Sequence, residues 1–195
     1  MNTLLLDADG VLLKKLGYFS EHYAREYGVP IEEMTPFYKN EFRLCQQGKA
    51  DLKEELAKYL PKWKWDKSTD DFLHYWFTTD AKTDEHVFDV VENLRARGIK
   101  CYLTTDQEKY RAQYLLDKLN FKDRLDDCFF SYELGYQKSE PQFFEKVMQK
   151  LGLEATELMY WDDDPKNVDV AKALGIDARF YSNFEEFKSI VGQLN

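Results

Sequence analysis

The chain has 195 residues, 44% of them hydrophobic, 32% charged and 16% aromatic, which supports a real core in one domain with an insert or two small domains and excludes a disordered chain. The 36 acidic and 27 basic side chains leave a formal net charge of −9, and a surface of that sign repels phosphate backbones and anionic lipid, so neither nucleic acid nor membrane is an expected partner. Cys45, Cys101 and Cys128 form no CxxC pair, and the short apolar start lacks the basic flank of a signal peptide; free thiols in a cytoplasmic protein are expected.

In chain order, the first strand is expected at residues 3–6, where LLL runs into Asp7, Ala8, Asp9 and Gly10. Residues 14–82 then break the pattern: helix-like stretches at 20–27, 31–45, 52–60 and 70–77 and no convincing strand. Trp63, Trp65 and Trp76 read as the core of this helical insert, which is expected to form a cap of its own over the end of the sheet. From residue 83 the chain alternates strand and helix. Helix 84–97 places Val87, Val90, Val91 and Leu94 on one face and stops at Gly98. Strand 99–104, helix 108–119, strand 128–131, helix 141–151, strand 158–161, helix 165–174 and strand 178–181 follow. Most of these strands are continuously apolar, as parallel strands covered on both faces are. The expectation is an α/β doubly wound parallel sheet built from residues 1–13 and 83–195, with the cap at 14–82.

Ligands of such sheets bind beyond the carboxyl ends of the strands. Asp7 and Asp9 follow the first strand; Thr104, Thr105 and Asp106 the second; Lys138 lies beyond the third; Asp162, Asp163 and Asp164 follow the fourth. Like charges about 4 Å apart repel by about 4 kcal/mol at an effective dielectric near 20, so these carboxylates need a cation. All-oxygen donors suit Mg²⁺. His22, His74 and His86 lie in or beside the insert, so zinc is not expected. Asp7 is suited to be a nucleophile forming an aspartyl-phosphate, Asp9 to protonate a leaving oxygen and later activate water, Thr105 to bind phosphoryl oxygens, and Lys138 to neutralise developing charge. Asp164 before Pro165 reads as a helix start, and Lys14 and Lys15 as surface lysines.

The segments LLLDADGVL, YLTTDQ, LGYQKSEPQFF and YWDDDPKNVDVAKALGI, in that order, resemble the four motifs of the haloacid dehalogenase (HAD) superfamily, and the insert resembles its subfamily I cap. The resemblance implies Asp7 as nucleophile and Mg²⁺ ligand. It implies Asp9 as acid/base that also offers its backbone carbonyl to the metal, and Asp163 as direct ligand with Asp162 supporting. Thr105 and Lys138 would bind phosphate, with Asp106 beside them. Asp106 departs from a common Asn and brings negative charge to the phosphate site; Asn167 and the KSEP segment also depart. The implied activity is a Mg²⁺-dependent phosphatase acting on a small phosphorylated metabolite. A phosphomutase, a 2-haloacid dehalogenase and a non-catalytic phosphate- or metal-binding module are the alternatives. The physiological substrate and oligomeric state are left open, and a monomer is compatible with the sequence.

Overall fold

A computed structural model describes residues 2–194. Five parallel strands form one sheet: β1 (Thr3–Leu6), β2 (Lys100–Thr105), β3 (Asp127–Phe130), β4 (Leu158–Asp162) and β5 (Asp177–Phe180), in the order β3-β2-β1-β4-β5. The topology is the doubly wound parallel sheet expected. Every residue of β1 and β4 is buried. Alternate side chains of a strand face opposite sides: Leu4 and Leu6 join one core layer, while Leu5 joins the other. Each such leucine contributes about 1.5–3 kcal/mol by leaving water.

The insert holds α1 (Phe19–Tyr27), α2 (Ile31–Lys39), α3 (Glu41–Gln46), α4 (Leu52–Ala57) and α5 (Thr69–Asp80). It has its own aromatic core, with Tyr23, Phe37, Trp63 and Phe72 fully buried and Trp65 and Trp76 nearly so, as read from the sequence. A continuous helix over 31–45 does not form: Asn40, at φ −116° and ψ −82°, breaks it into α2 and α3. An Asn side chain competes for local backbone groups and favours such breaks. The next helix ends at Ala57 rather than at residue 60, ahead of Pro61, which disfavours helical backbone at the residue before it. A capping box between Ser68 and Asp71 starts α5. The chain enters and leaves the insert side by side: Leu13 pairs with Thr83, and the Lys14 N–H donates to the Lys82 carbonyl at 2.8 Å.

The remaining helices are α6 (Glu85–Ala96), α7 (Lys109–Asp117), α8 (Phe121–Arg124), α9 (Ser131–Leu134), α10 (Pro141–Leu151), α11 (Pro165–Ala173) and α12 (Phe184–Val191). Val87, Val91, Leu115 and Phe187 pack on one face of the sheet, and Phe143, Phe144, Val147 and Val168 on the other. Among the described residues, no helix is long and apolar enough to cross a membrane. All three cysteines are free, with Cys45 and Cys101 buried and Cys128 half-buried.

Candidate active site

Strand register decides which side chains meet. Leu6 lies opposite Leu103 on β2 and Trp161 on β4, and the Asp7 N–H donates to the Trp161 carbonyl at 3.0 Å. The next residues, Asp7 and Asp162, therefore end adjacent strands at the same level. Lys138, on the loop between α9 and α10, reaches between them, its Nζ 2.5 Å from Asp7 Oδ1 and 2.7 Å from Asp162 Oδ2. All three are buried, Asp162 completely.

Asp162 is saturated by donors. It accepts from Lys138, the Tyr160 hydroxyl, Asn167 Nδ2 at 3.1 Å and the Asp164 N–H at 2.7 Å. Asp163 is paired instead with Lys15, whose Nζ lies 2.7 Å from its Oδ2. Carboxylate oxygens of Asp7, Asp162 and Asp163 all lie within 4.8 Å of one another. Around a Mg²⁺ with bonds near 2.1 Å, ligand oxygens stand about 3 to 4 Å apart, and no histidine or cysteine enters the cluster among the described residues. The donor set fits Mg²⁺. Gly10 makes the approach of Asp163 possible: its φ is +82°, and a Cβ there would lie 2.3 Å from Asp163 Oδ2.

Desolvation raises the Asp7 carboxyl well above its usual pKa, with the Asp162 and Asp9 charges adding and Lys138 opposing. Burial also acts upward on Asp162, but Lys138 and its other donors hold it low. The lysine itself is raised: burial disfavours its charge, and Asp7, Asp162 and Asp106 more than compensate.

Thr105 ends β2 and is buried, its hydroxyl accepting from Gln107 Nε2 at 3.3 Å. Asp106 turns its carboxylate to the lysine loop, where Oδ1 accepts the Lys138 N–H at 2.9 Å; burial raises its pKa. Thus the charge that the sequence places near the phosphate site is also a bracket for the Lys138 backbone. Asp9 stands apart from the cluster. Its Oδ1 accepts from Arg111 Nη2 at 2.8 Å, and its Oδ2 from Arg111 Nη1 at 3.1 Å and Gln107 Nε2 at 2.7 Å. Desolvation acts upward on the Asp9 carboxyl, although its side chain is half exposed, yet the Arg111 charge and these hydrogen bonds hold it below its ordinary value.

The family model for haloacid dehalogenase-like hydrolases matches residues 1–175. The chain belongs to that family. As a HAD-like hydrolase it is 22% identical, over 91% of its length and 83% of the relative's, to a phosphorylated carbohydrates phosphatase of Thermotoga maritima. It is 23% identical, over 91% and 86%, to a phosphatase of Mycobacterium tuberculosis. A HAD family enzyme of Bacteroides thetaiotaomicron, solved with magnesium and inorganic phosphate, superposes with a TM-score of 0.79 at 22% identity, covering 92% of this chain and 93% of that one.

Several residues of this HAD-like hydrolase escape a reading by motif. Arg111, in the first turn of α7, and Gln107, the last residue of YLTTDQ, hold Asp9, and neither position carries a local signal for that pairing. Lys15, expected as a surface lysine, is mostly exposed but pairs with Asp163. The insert is docked by α3: Gln46 Nε2 donates to the Asp106 carbonyl at 2.9 Å, and Arg43 Nη2 donates to Gln137 Oε1 at 2.8 Å. Asp80, at the end of α5, lies 3.3 Å from Arg111 Nη2. It also lines a cavity of about 240 Å³ with Tyr18, Phe19, His22, Arg25 and Thr79.

Proposed function

We propose that the chain is a Mg²⁺-dependent phosphomonoester hydrolase working through an aspartyl-phosphate on Asp7. The observation that carries this reading is Asp7 at a buried strand end, with Lys138 at 2.5 Å and Asp162 and Asp163 beside it. The names of the full-length relatives support it, both being phosphatases.

Asp7, the Asp9 backbone carbonyl and Asp163 would hold the metal, with Asp162 supporting. When bound, Mg²⁺ supplies positive charge against which an anionic phosphate and a carboxylate can approach. An Asp7 oxygen bonds to phosphorus while the ester P–O bond breaks, and the departing oxygen takes a proton from Asp9. Water then attacks phosphorus, Asp7 leaves as a carboxylate, and Asp9 takes the water proton. Thr105, with Asp106 behind it, orients the phosphoryl oxygens, and Lys138 offsets their charge. Residues 1–13 and 83–195 are the catalytic core, and residues 14–82 the cap that excludes water and sets specificity. The substrate is a small cytoplasmic phosphorylated metabolite. Its carbon skeleton would lie in the cavity walled by Tyr18, Phe19, His22 and Arg25, a size and polarity that suit a short polyol or sugar.

The test is phosphate release from a panel of sugar, polyol and aryl phosphates, with Mg²⁺ and with EDTA. The expected result is turnover that needs the metal and disappears in Asp7→Asn, while Mg²⁺ raises the melting temperature of the wild-type protein. Product phosphate moved to a second hydroxyl would indicate a mutase, and chloride release from a 2-haloacid a dehalogenase. Full activity in Asp7→Asn would sink the assignment of the nucleophile.

A further inference from the structure

We propose that Arg111 is the positioning residue that sets Asp9 to receive the water proton in the second half of the reaction, and that Asp80 ties this setting to the cap. The inference rests on the aspartyl-phosphate reading above and deepens it.

Arg111 is almost fully buried. It sits in the first turn of α7, where Glu108 accepts its N–H at 2.6 Å and that of Tyr110 at 2.7 Å. From there its planar guanidinium meets Asp9 as a two-pronged fork, Nη2 to Oδ1 and Nη1 to Oδ2. Gln107 adds a second donor to Oδ2. A guanidinium offers donors only. The Arg111 and Gln107 partners of the Asp9 oxygens are thus all donors, an arrangement that favours the carboxylate, while the half-exposed side chain keeps one direction on Oδ1 open.

The two halves of the reaction ask opposite things of Asp9. In the first it must give up a proton, and the fork favours the carboxylate that this leaves. In the second it must accept one, and the fork leaves room on one oxygen only. Oδ2 already accepts two hydrogen bonds, whereas Oδ1 accepts one and keeps a free lone-pair direction. The water oxygen bonds to phosphorus, the P–O bond to Asp7 breaks with its electron pair returning to the carboxylate, and the water proton goes to Asp9 Oδ1. Inorganic phosphate leaves.

The cap enters through Asp80. One of its oxygens accepts from Trp76 Nε1 at 3.0 Å, inside the aromatic core of the insert, and the other lies 3.3 Å from Arg111 Nη2. The same nitrogen thus meets Asp9 of the core and Asp80 of the cap, three residues before the chain re-enters the core at Thr83. When the cap sits as it does here, the fork is set.

The experiment is rapid-mixing hydrolysis of 4-nitrophenyl phosphate with Mg²⁺ by wild type, Arg111→Gln and Arg111→Lys, with quantification of acid-trapped phosphoprotein. Nitrophenolate is a good leaving group that needs little proton donation, so the first half is insulated from the change. The expected result is a kcat lowered about tenfold or more with kcat/KM held within about threefold. A burst of nitrophenolate approaching one per active site and accumulated phosphoprotein should accompany it. Arg111→Lys keeps the charge without the fork and serves if the Gln variant does not fold; it should show the same split. Parallel falls in kcat and kcat/KM with no burst, in a folded variant, would overturn the inference and leave the phosphatase reading standing. A wild-type protein that hydrolyses no phosphate ester would instead remove the phosphatase reading, and this inference with it.

Discussion

Replacing Lys138 by Met tests how the site stores its charge. Met keeps most of the length and volume of the side chain but removes the one ammonium between Asp7 and Asp162, which are 2.5 Å and 2.7 Å from it and buried. Breaking a buried pair by removing one partner costs about 3–5 kcal/mol, because the other charge is left uncompensated. Here two carboxylates are left, although Asp162 retains its other donors. For a domain of this size each kcal/mol shifts Tm by about 2–4 °C, so the metal-free variant should melt about 6–20 °C below wild type at pH 8. The sign of the pH dependence follows from Asp7. Its folded-state pKa is already raised, and loss of Lys138 raises it further. A raised carboxyl binds its proton in the folded state first, so stability is greatest at low pH and falls as pH rises through the folded-state value. The deficit should therefore shrink as pH is lowered from 8 to 5. Thermal unfolding followed by circular dichroism measures both. A deficit under about 2 °C at pH 8, or one of equal size at both pH values, would refute the electrostatic account and leave packing as the cause.

Gly10→Ala places a Cβ 2.3 Å from Asp163 Oδ2 at a φ of +82°; left-handed backbone costs about 1–2 kcal/mol, and Asp163 must move. The variant should fold, yet the Mg²⁺-induced rise in Tm should be largely lost; an undiminished rise would remove Asp163 from the metal set. Glu108 is pushed up to about 7 by burial, against its backbone hydrogen bonds and Arg111. Its raised carboxyl makes the protein most stable below about 4.5 and costs it about 3 kcal/mol as pH climbs to about 7. Glu108→Gln should remove that slope, and urea unfolding of both proteins at pH 5 and 8 reads it; parallel pH profiles would contradict it.

Much of the architecture is written locally. Mostly apolar runs ending in Asp, Thr or Ser mark the strands to within a residue or so, as the observed Lys100–Thr105 and Leu158–Asp162 show against 99–104 and 158–161. Those signals work because a strand buried on both faces tolerates no polar interruption, so its end is marked where the first polar residue stands. The segments that carry Asp7, Thr105 and Asp163 could be lined up for the same reason, each at the end of a strand, whereas Lys138 follows the short helix after β3. Single-turn helices such as α8 and α9, four residues each, are too short to show a period, and α12, after the last strand, was not anticipated.

What only the tertiary structure decided is how the charges are paired. The sequence places Arg111 102 positions from Asp9, 31 from Asp80 and on an ordinary-looking helix. Nothing local distinguishes it from Lys109 two residues earlier, which stacks on Tyr110 instead. The contact of Gln46 with the Asp106 carbonyl, and the reach of Lys15 to Asp163, are likewise set by packing between the insert and the sheet. Backbone geometry and apolar burial are read from neighbours in the chain. The partner of a charge is chosen by whichever group the fold carries within about 3 Å of it, where hydrogen bonds form.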